Sequence, residues 1–135
     1  MILGIGVDMV KVARVQQKAG ENLDSPLARG AFTKSELAYA KSKGVAAYQS
    51  LAGFFAAKEA FFKATQVWPG WHDIWVEHEE SGKPYLGFSE KAREKMRAIG
   101  IDPERINLQL TISHEKEFAV AVVVVDSSAS SVTSS

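Results

Sequence analysis

The run Phe54-Phe55-Ala56-Ala57-Lys58-Glu59-Ala60-Phe61-Phe62-Lys63-Ala64 sets the tightest limit on what this chain can fold into. With Leu51, Phe55, Phe62 and several alanines at helical spacing, it predicts a long helix over about residues 45–66. A helix this apolar is expected to be buried on most faces, and buried charges need partners or a task. Glu59 and Lys63 stand one turn apart on it. Two readings are open. An i,i+4 Glu–Lys pair commonly supports a helix by a few tenths of a kcal/mol. The same pair can also hold a metal ion and a phosphate side by side. Lys58 adjoins Glu59 but points about 100° away around the helix, so it is expected to serve another surface.

The remaining elements follow from local signals. Residues 2–7 read as a buried strand interrupted by Gly4 and Gly6, and glycines inside a strand often mark close approach of another backbone or a ligand. Asp8 ends that strand, ahead of a helix over about 10–19 stopped by Gly20. Residues 21–26 read as a loop. Thr33-Lys34-Ser35-Glu36 is a capping box opening a short helix to about residue 43. Pro69-Gly70 is a turn. Residues 73–78 and 85–88 form an expected hairpin around Ser81-Gly82-Lys83-Pro84. Ser89 caps a helix running to 99. Residues 106–113 and 118–125 are strands close enough in sequence to pair antiparallel. Residues 127–135 are Ser-rich and expected to be a disordered tail, leaving one domain over 1–126. The order of elements lacks regular βαβ alternation, which predicts an α+β fold: a small mixed sheet with a long buried helix.

Composition excludes several chemistries. Sixteen basic and sixteen acidic residues balance, so the basic field of a general nucleic-acid binder is missing. A local patch at Lys11, Arg14 and Lys18 remains. The chain has no cysteine, which removes disulfides, thiolate metal sites and cysteine nucleophiles, and fits a cytoplasmic location. No apolar run is long enough to span a bilayer, and no signal-peptide pattern is present.

Gly4-Ile5-Gly6-Val7-Asp8-Met9 lacks the third glycine of a dinucleotide-binding fingerprint, because Met9 stands there. Asp8 is therefore either a plain helix cap or a carboxylate delivered to a site by its strand. Ser113-His114 ends a strand, where a histidine can contact a phosphate, assist proton transfer or simply face solvent. His72 and His78 are read as surface or partly buried, and the three histidines make no zinc signature. Carboxylates without thiolates or clustered imidazoles favour a hard cation. Magnesium is usually bound by one or two carboxylates plus substrate phosphates, a number that Asp8 and Glu59 supply if the fold brings them together.

Three blocks, Gly4-Ile5-Gly6-Val7-Asp8, residues 56–64, and Ile112-Ser113-His114 with Ala119-Val120-Ala121-Val122, resemble the small bacterial-type 4′-phosphopantetheinyl transferases, the holo-[acyl-carrier-protein] synthases. Phe32-Thr33-Lys34-Ser35-Glu36-Leu37 and Ser81-Gly82-Lys83-Pro84-Tyr85 fit the same family, and the resemblance runs from residue 1 to about 126. It implies transfer of phosphopantetheine from coenzyme A to a serine of apo acyl carrier protein, releasing adenosine 3′,5′-bisphosphate. It implies Asp8 and Glu59 as magnesium ligands. Glu59 would take the serine proton, directly or through a metal-bound water. Lys63 would lie on the coenzyme A phosphates, and His114 beside the nucleotide's phosphate or ribose. Phe55, Gly82, Lys83, Pro84 and Ser113 would line the coenzyme A groove, and Arg14 would dock the acidic carrier. The implied assembly is a homotrimer with active sites between subunits.

Three departures stand out. Phe54 replaces an arginine that ordinarily helps hold a nucleotide phosphate, a role open to Lys34 or His114. Residues 65–71 replace a glycine-rich loop. Glu21 and Asp24 stand where the carrier-docking surface is usually more basic. Two other classes remain in view: a magnesium-dependent hydrolase of nucleotide pyrophosphates, and an inactive coenzyme A-binding module.

Overall fold

A computed structural model describes residues 1–127. The elements in order are β1 (Ile2–Lys11), α1 (Val12–Ala19), α2 (Pro26–Ala31), α3 (Lys34–Ser42), a 3-10 turn (Gly44–Ala46), α4 (Ala47–Thr65), β2 (Ile74–His78), β3 (Pro84–Phe88), α5 (Glu90–Ala98), β4 (Ile106–His114) and β5 (Phe118–Ser127). The α+β class holds. The strands form two small antiparallel sheets, one ordered β1-β5-β4 and the other the β2-β3 hairpin. The expected tail lies outside the described residues except for Ser127, which is the last residue of β5 and donates its N–H to the Met1 carbonyl.

α4 is the axis of the molecule. It packs across one face of the β1-β5-β4 sheet, whose core side chains include Val10, Leu110, Ala119, Ala121, Val123 and Val125. Its fully buried aromatics are Phe54 and Phe61, whereas Phe55 and Phe62 are only half-buried. The α3 capping box forms as expected: Thr33 Oγ1 accepts from the Glu36 N–H, and Glu36 Oε1 accepts from the Thr33 N–H. Ser89 Oγ caps α5 through the Ala92 N–H.

Several expectations are corrected. β1 continues past Asp8 to Lys11, so the following helix starts at Val12 rather than 10. Its burial is one-sided: Leu3, Ile5, Val7 and Met9 face away from α4 and are 48–64% exposed. The sheet thus has one covered face and one apolar edge strand facing outward. The loop expected at 21–26 ends in α2, where Ser25 Oγ accepts from the Ala28 N–H and Pro26 takes the first helical turn. Proline suits that place because its missing N–H is not needed there. At the start of α4 the chain first makes a 3-10 turn, so the helix proper begins at Ala47.

Candidate active site

Gly4 and Gly6 let β1 lie directly on α4. A Cβ at Gly6 would overlap the Ala60 carbonyl oxygen, and one at Gly4 the Ala64 carbonyl oxygen. Side chains on one face of a strand recur every second residue, so Asp8 is the next group on that helix-facing side. The cap reading of Asp8 falls: it pairs with Ala121 inside the sheet, and α1 is preceded by Lys11 with no side-chain cap bond. Instead, Asp8 Oδ1 accepts from Lys63 Nζ at 3.0 Å, and Lys63 also donates to the Val7 carbonyl at 3.1 Å. Asp8 is 18% exposed and Lys63 50%, so the pair opens to solvent on the lysine side.

Glu59 completes this group. Its carboxyl is held above the usual carboxylate range, first by burial and then by the nearby Asp8 charge, with Lys63 pulling the other way. Two carboxylates within electrostatic reach, only partly neutralised by one ammonium, form a site that favours added positive charge. The oxygen-only donor set fits magnesium, which takes one or two carboxylates and completes its octahedron with water and phosphate oxygens. Among the described residues, no three His, Asp or Glu side chains gather into a cage that would bind a metal unaided.

The other expected site residues are divided among separate places in the chain. Gly82, Pro84 and His114 line a small cavity of about 160 Å3 together with Phe54, Tyr39 and His78. Phe54, 2% exposed, packs its ring against Tyr39 at 5.6 Å and His78 at 5.8 Å. The Tyr39 and His78 rings stack nearly parallel at 4.0 Å. Burial, and secondarily the Lys43 charge, holds the His78 imidazole below its ordinary value and so favours its neutral form. His78 was read without a context from the sequence. The signal was the hairpin register, which pairs His78 with Pro84. Lys34, one substitute for the missing arginine, is exposed and does not line this cavity, whereas His114 does.

Phe55 lies elsewhere. It stacks on Trp71 at 5.0 Å and lines an apolar groove of about 430 Å3 with Val15, Lys18 and Phe32. The segment at 66–71, after α4, carries an aromatic chain, with Trp68 set edge-on to both Trp71 (4.5 Å) and Phe62 (6.3 Å). Lys83 donates to Gln109 Oε1 at 3.1 Å on β4. Ser113 is exposed and alternates with Ile112, which packs into the core. Arg14 is exposed on α1.

Lys58 corrects the sequence reading most sharply. It reaches no surface. Its side chain is 0% exposed, and Nζ donates to Glu36 Oε1 (2.7 Å), the Trp71 carbonyl (2.8 Å) and the Ala31 carbonyl (3.0 Å).

Comparison with known proteins agrees with this arrangement of elements. The family model of the 4′-phosphopantetheinyl transferase superfamily matches residues 4–123. A holo-[acyl-carrier-protein] synthase of Deinococcus deserti is 38% identical over 136 residues, covering 93% of this chain and 98% of that one. The fold is similar to a holo-(acyl-carrier-protein) synthase from Bacillus anthracis in complex with CoA (3′,5′-ADP), with a TM-score of 0.71, 34% identity, and 94% and 98% of the two chains covered. It is likewise similar to the Helicobacter pylori holo-[acyl-carrier-protein] synthase in complex with coenzyme A, with a TM-score of 0.71, 33% identity, and 90% and 99% covered.

Proposed function

The chain belongs to the 4′-phosphopantetheinyl transferase superfamily, and from that membership we propose that it transfers 4′-phosphopantetheine from coenzyme A to a serine of apo acyl carrier protein. The observation that carries the reading is the meeting of Asp8 on β1 with Glu59 and Lys63 on α4, more than fifty residues away in sequence. No helix among the described residues is long and apolar enough to cross a membrane, and we place the activity in the cytoplasm, where carrier and coenzyme would be met.

In the reaction, the serine oxygen forms a bond to the β-phosphorus of coenzyme A. The bond from that phosphorus to the bridging pyrophosphate oxygen breaks, and adenosine 3′,5′-bisphosphate leaves with the electron pair. Glu59 accepts the serine proton. Burial and the Asp8 charge strengthen it as a base, since a carboxylate tuned upward is a better proton acceptor near neutral pH. Lys63, half-exposed and already turned toward Asp8, presents an ammonium to the charge that develops on the pyrophosphate. Magnesium would be held by Asp8 and Glu59, and its chemistry there is Lewis-acid neutralisation of the phosphate oxygens. Gly82, Lys83, Pro84, Ser113, His114 and Phe55 bind the coenzyme in this reading, and Arg14 docks the carrier.

Two observations support a homotrimer with sites between subunits. The exposed apolar face at Leu3, Ile5, Val7 and Met9 is suited to burial against another copy. The coenzyme-binding residues line different cavities within a single chain, and a neighbouring subunit can bring the Gly82–His114 set to the Asp8–Glu59 set of another.

The test incubates the protein with coenzyme A, magnesium and several apo carrier proteins, followed by mass spectrometry. The expected result is a phosphopantetheine mass gain on the carrier serine, from a protein whose native mass is three chains. Cleavage of coenzyme A without carrier would mark a hydrolase instead. Coenzyme binding with neither outcome would mark an inactive module.

A further inference from the structure

The small cavity beside Phe54 holds polar groups that the fold leaves uncommitted. Ser50 is 7% exposed and lines it one helical turn before Phe54 on α4. Its hydroxyl has no hydrogen-bond partner among the described residues, and neither have the ring nitrogens of His78 and His114 on the same walls. A buried hydroxyl that faces a cavity without a partner is a place for a ligand's polar atom. The other walls are flat and apolar: the stacked Tyr39 and His78 rings, the Phe54 ring and Pro84. The exposed residues Gly82 and His114 mark its mouth.

Fixed positive charge is what these walls lack. Among the described residues, no lysine or arginine lines the cavity. Lys83, next to Gly82, is turned to Gln109 Oε1 on β4 at 3.1 Å. Lys43 Nζ sits 4.8 Å from the centroid of the Tyr39 ring and outside the lining. Burial and the Lys43 charge both favour the neutral His78 imidazole. Phe54, 2% exposed, fills the α4 side with a ring. A phosphate dianion entering here would exchange its water for two imidazoles and a hydroxyl, with no fixed cation to offset the loss. Selectivity for a group comes from site atoms that its removal would leave unpaired. Ser50, His78 and His114 are not left unpaired in that way, because a ribose hydroxyl or an adenine nitrogen pairs with them as a phosphate oxygen does.

We infer that this cavity takes the nucleoside end of the donor by its neutral ring and ribose, and that the chain therefore uses coenzyme A lacking the 3′-phosphate about as well as coenzyme A itself. The inference rests on the transferase reading above, in which Gly82, Pro84 and His114 bind the coenzyme. Ser50 is then a further binding residue, hydrogen-bonded to the nucleoside, and the Tyr39, Phe54 and His78 rings pack against it. The reaction balances with either donor. The serine oxygen bonds to the β-phosphorus, and Glu59 takes the proton. The bond from that phosphorus to the bridging oxygen breaks. The electron pair leaves with adenosine 5′-monophosphate in place of the 3′,5′-bisphosphate.

The test measures transfer to apo carrier by the native protein with magnesium, from coenzyme A and from 3′-dephospho-coenzyme A, and follows the KM of each donor in Ser50→Ala. The expected result is a kcat/KM preference for coenzyme A below about tenfold, the least that a phosphate held by a charge-assisted hydrogen bond would be worth. A preference of about tenfold or more overturns the inference, because the phosphate then has a cationic anchor. Ser50→Ala is expected to raise the KM of both donors by about threefold or more, as loss of one buried hydrogen bond does, with kcat spared. A rise for coenzyme A alone would put the phosphate against Ser50. A KM unchanged for both donors would put the nucleoside elsewhere. Either result overturns the inference. Circular dichroism checks the fold of the variant, and the two-donor comparison in the native protein stands without it. If neither donor supports transfer, the transferase reading fails. The cavity is then judged by calorimetric binding of the two donors to both proteins, with Kd in place of KM and the same criteria, and binding of neither donor overturns the inference.

Discussion

Lys58 and Glu59 are neighbours in sequence and opposites in structure. Lys58 faces the α2–α3 side of α4, where every donor it has is matched and no water reaches it. Glu59 faces the β1 side, half-open, with its charged form disfavoured by burial and by Asp8. One face of the helix holds a finished ion pair. The other holds an unfinished cluster that gains from an added cation. A charge completed by its own chain supports shape, whereas a charge left incomplete marks a place for a ligand.

The sharpest way to break this contrast is to neutralise the unfinished side. Glu59→Gln is expected to lower transfer by about 10²–10⁴-fold. Its melting temperature at pH 7 in metal-free buffer should be unchanged or higher. The sign follows from the raised pKa. Burial and the Asp8 charge disfavour the ionised form, so the stability tied to the protonated carboxyl is present below the ordinary glutamate value and lost as pH rises through the folded value. Gln stays neutral at every pH and so does not carry the buried charge that Glu59 acquires on ionisation. A clear loss of melting temperature would make Glu59 a structural residue. Lys63→Ala should lower kcat by about 10²–10³-fold, as removal of one transition-state charge does. A loss below about tenfold would leave Lys63 only a packing role.

The finished side should respond in the opposite currency. Lys58→Ala strands Glu36 in the interior and is expected to cost about 3–5 kcal/mol of folding stability in a urea titration. A cost below about 1 kcal/mol, the range of exposed pairs, would mean that the pair is hydrated in solution. Smaller effects lie at the Phe54 cavity. Phe54→Arg should lower the melting temperature, because it puts a cation among the Tyr39 and His78 rings. Added coenzyme A should recover part of that loss and bind more tightly, since a phosphate can partner the guanidinium. Equal affinity for coenzyme A would show that another group anchors the phosphate. The smallest effect concerns His78. Its folded pKa lies below the ordinary histidine value, so the unfolded chain binds more protons between the two. Stability is therefore full above about pH 6.5 and declines as pH falls through the folded value. His78→Gln should flatten that part of the melting-temperature profile.

Much of this was legible in the sequence where local chemistry decides structure. The Thr33–Glu36 capping box, the Ser89 cap, the hairpin and the two C-terminal strands all follow from short-range signals and all form. The long apolar helix was also visible. What its charges do was not, because that depends on partners far away in the chain. Glu36 serves locally as a capping residue, and nothing in its own segment shows that it also bonds Lys58 and the Val76 N–H. α2 was missed because six residues containing Pro26 and Gly30 carry little helical signal. The outward apolar face of β1 read as core, since alternation cannot show which side is covered when both sides are apolar. For the candidate site, residue types pointed to Asp8, Glu59 and Lys63 as partners. Only the packing of Gly4 and Gly6 against α4 explains why they can meet.

The central claim is that Asp8 and Glu59 together bind the divalent ion that the pyrophosphate needs. Anomalous scattering from manganese, in crystals grown with coenzyme A, addresses it most directly. The account predicts one strong peak bridging the Asp8 and Glu59 carboxylates and the coenzyme's phosphates, with Lys63 beside them. A peak elsewhere, with either carboxylate turned away from the ion, would contradict it.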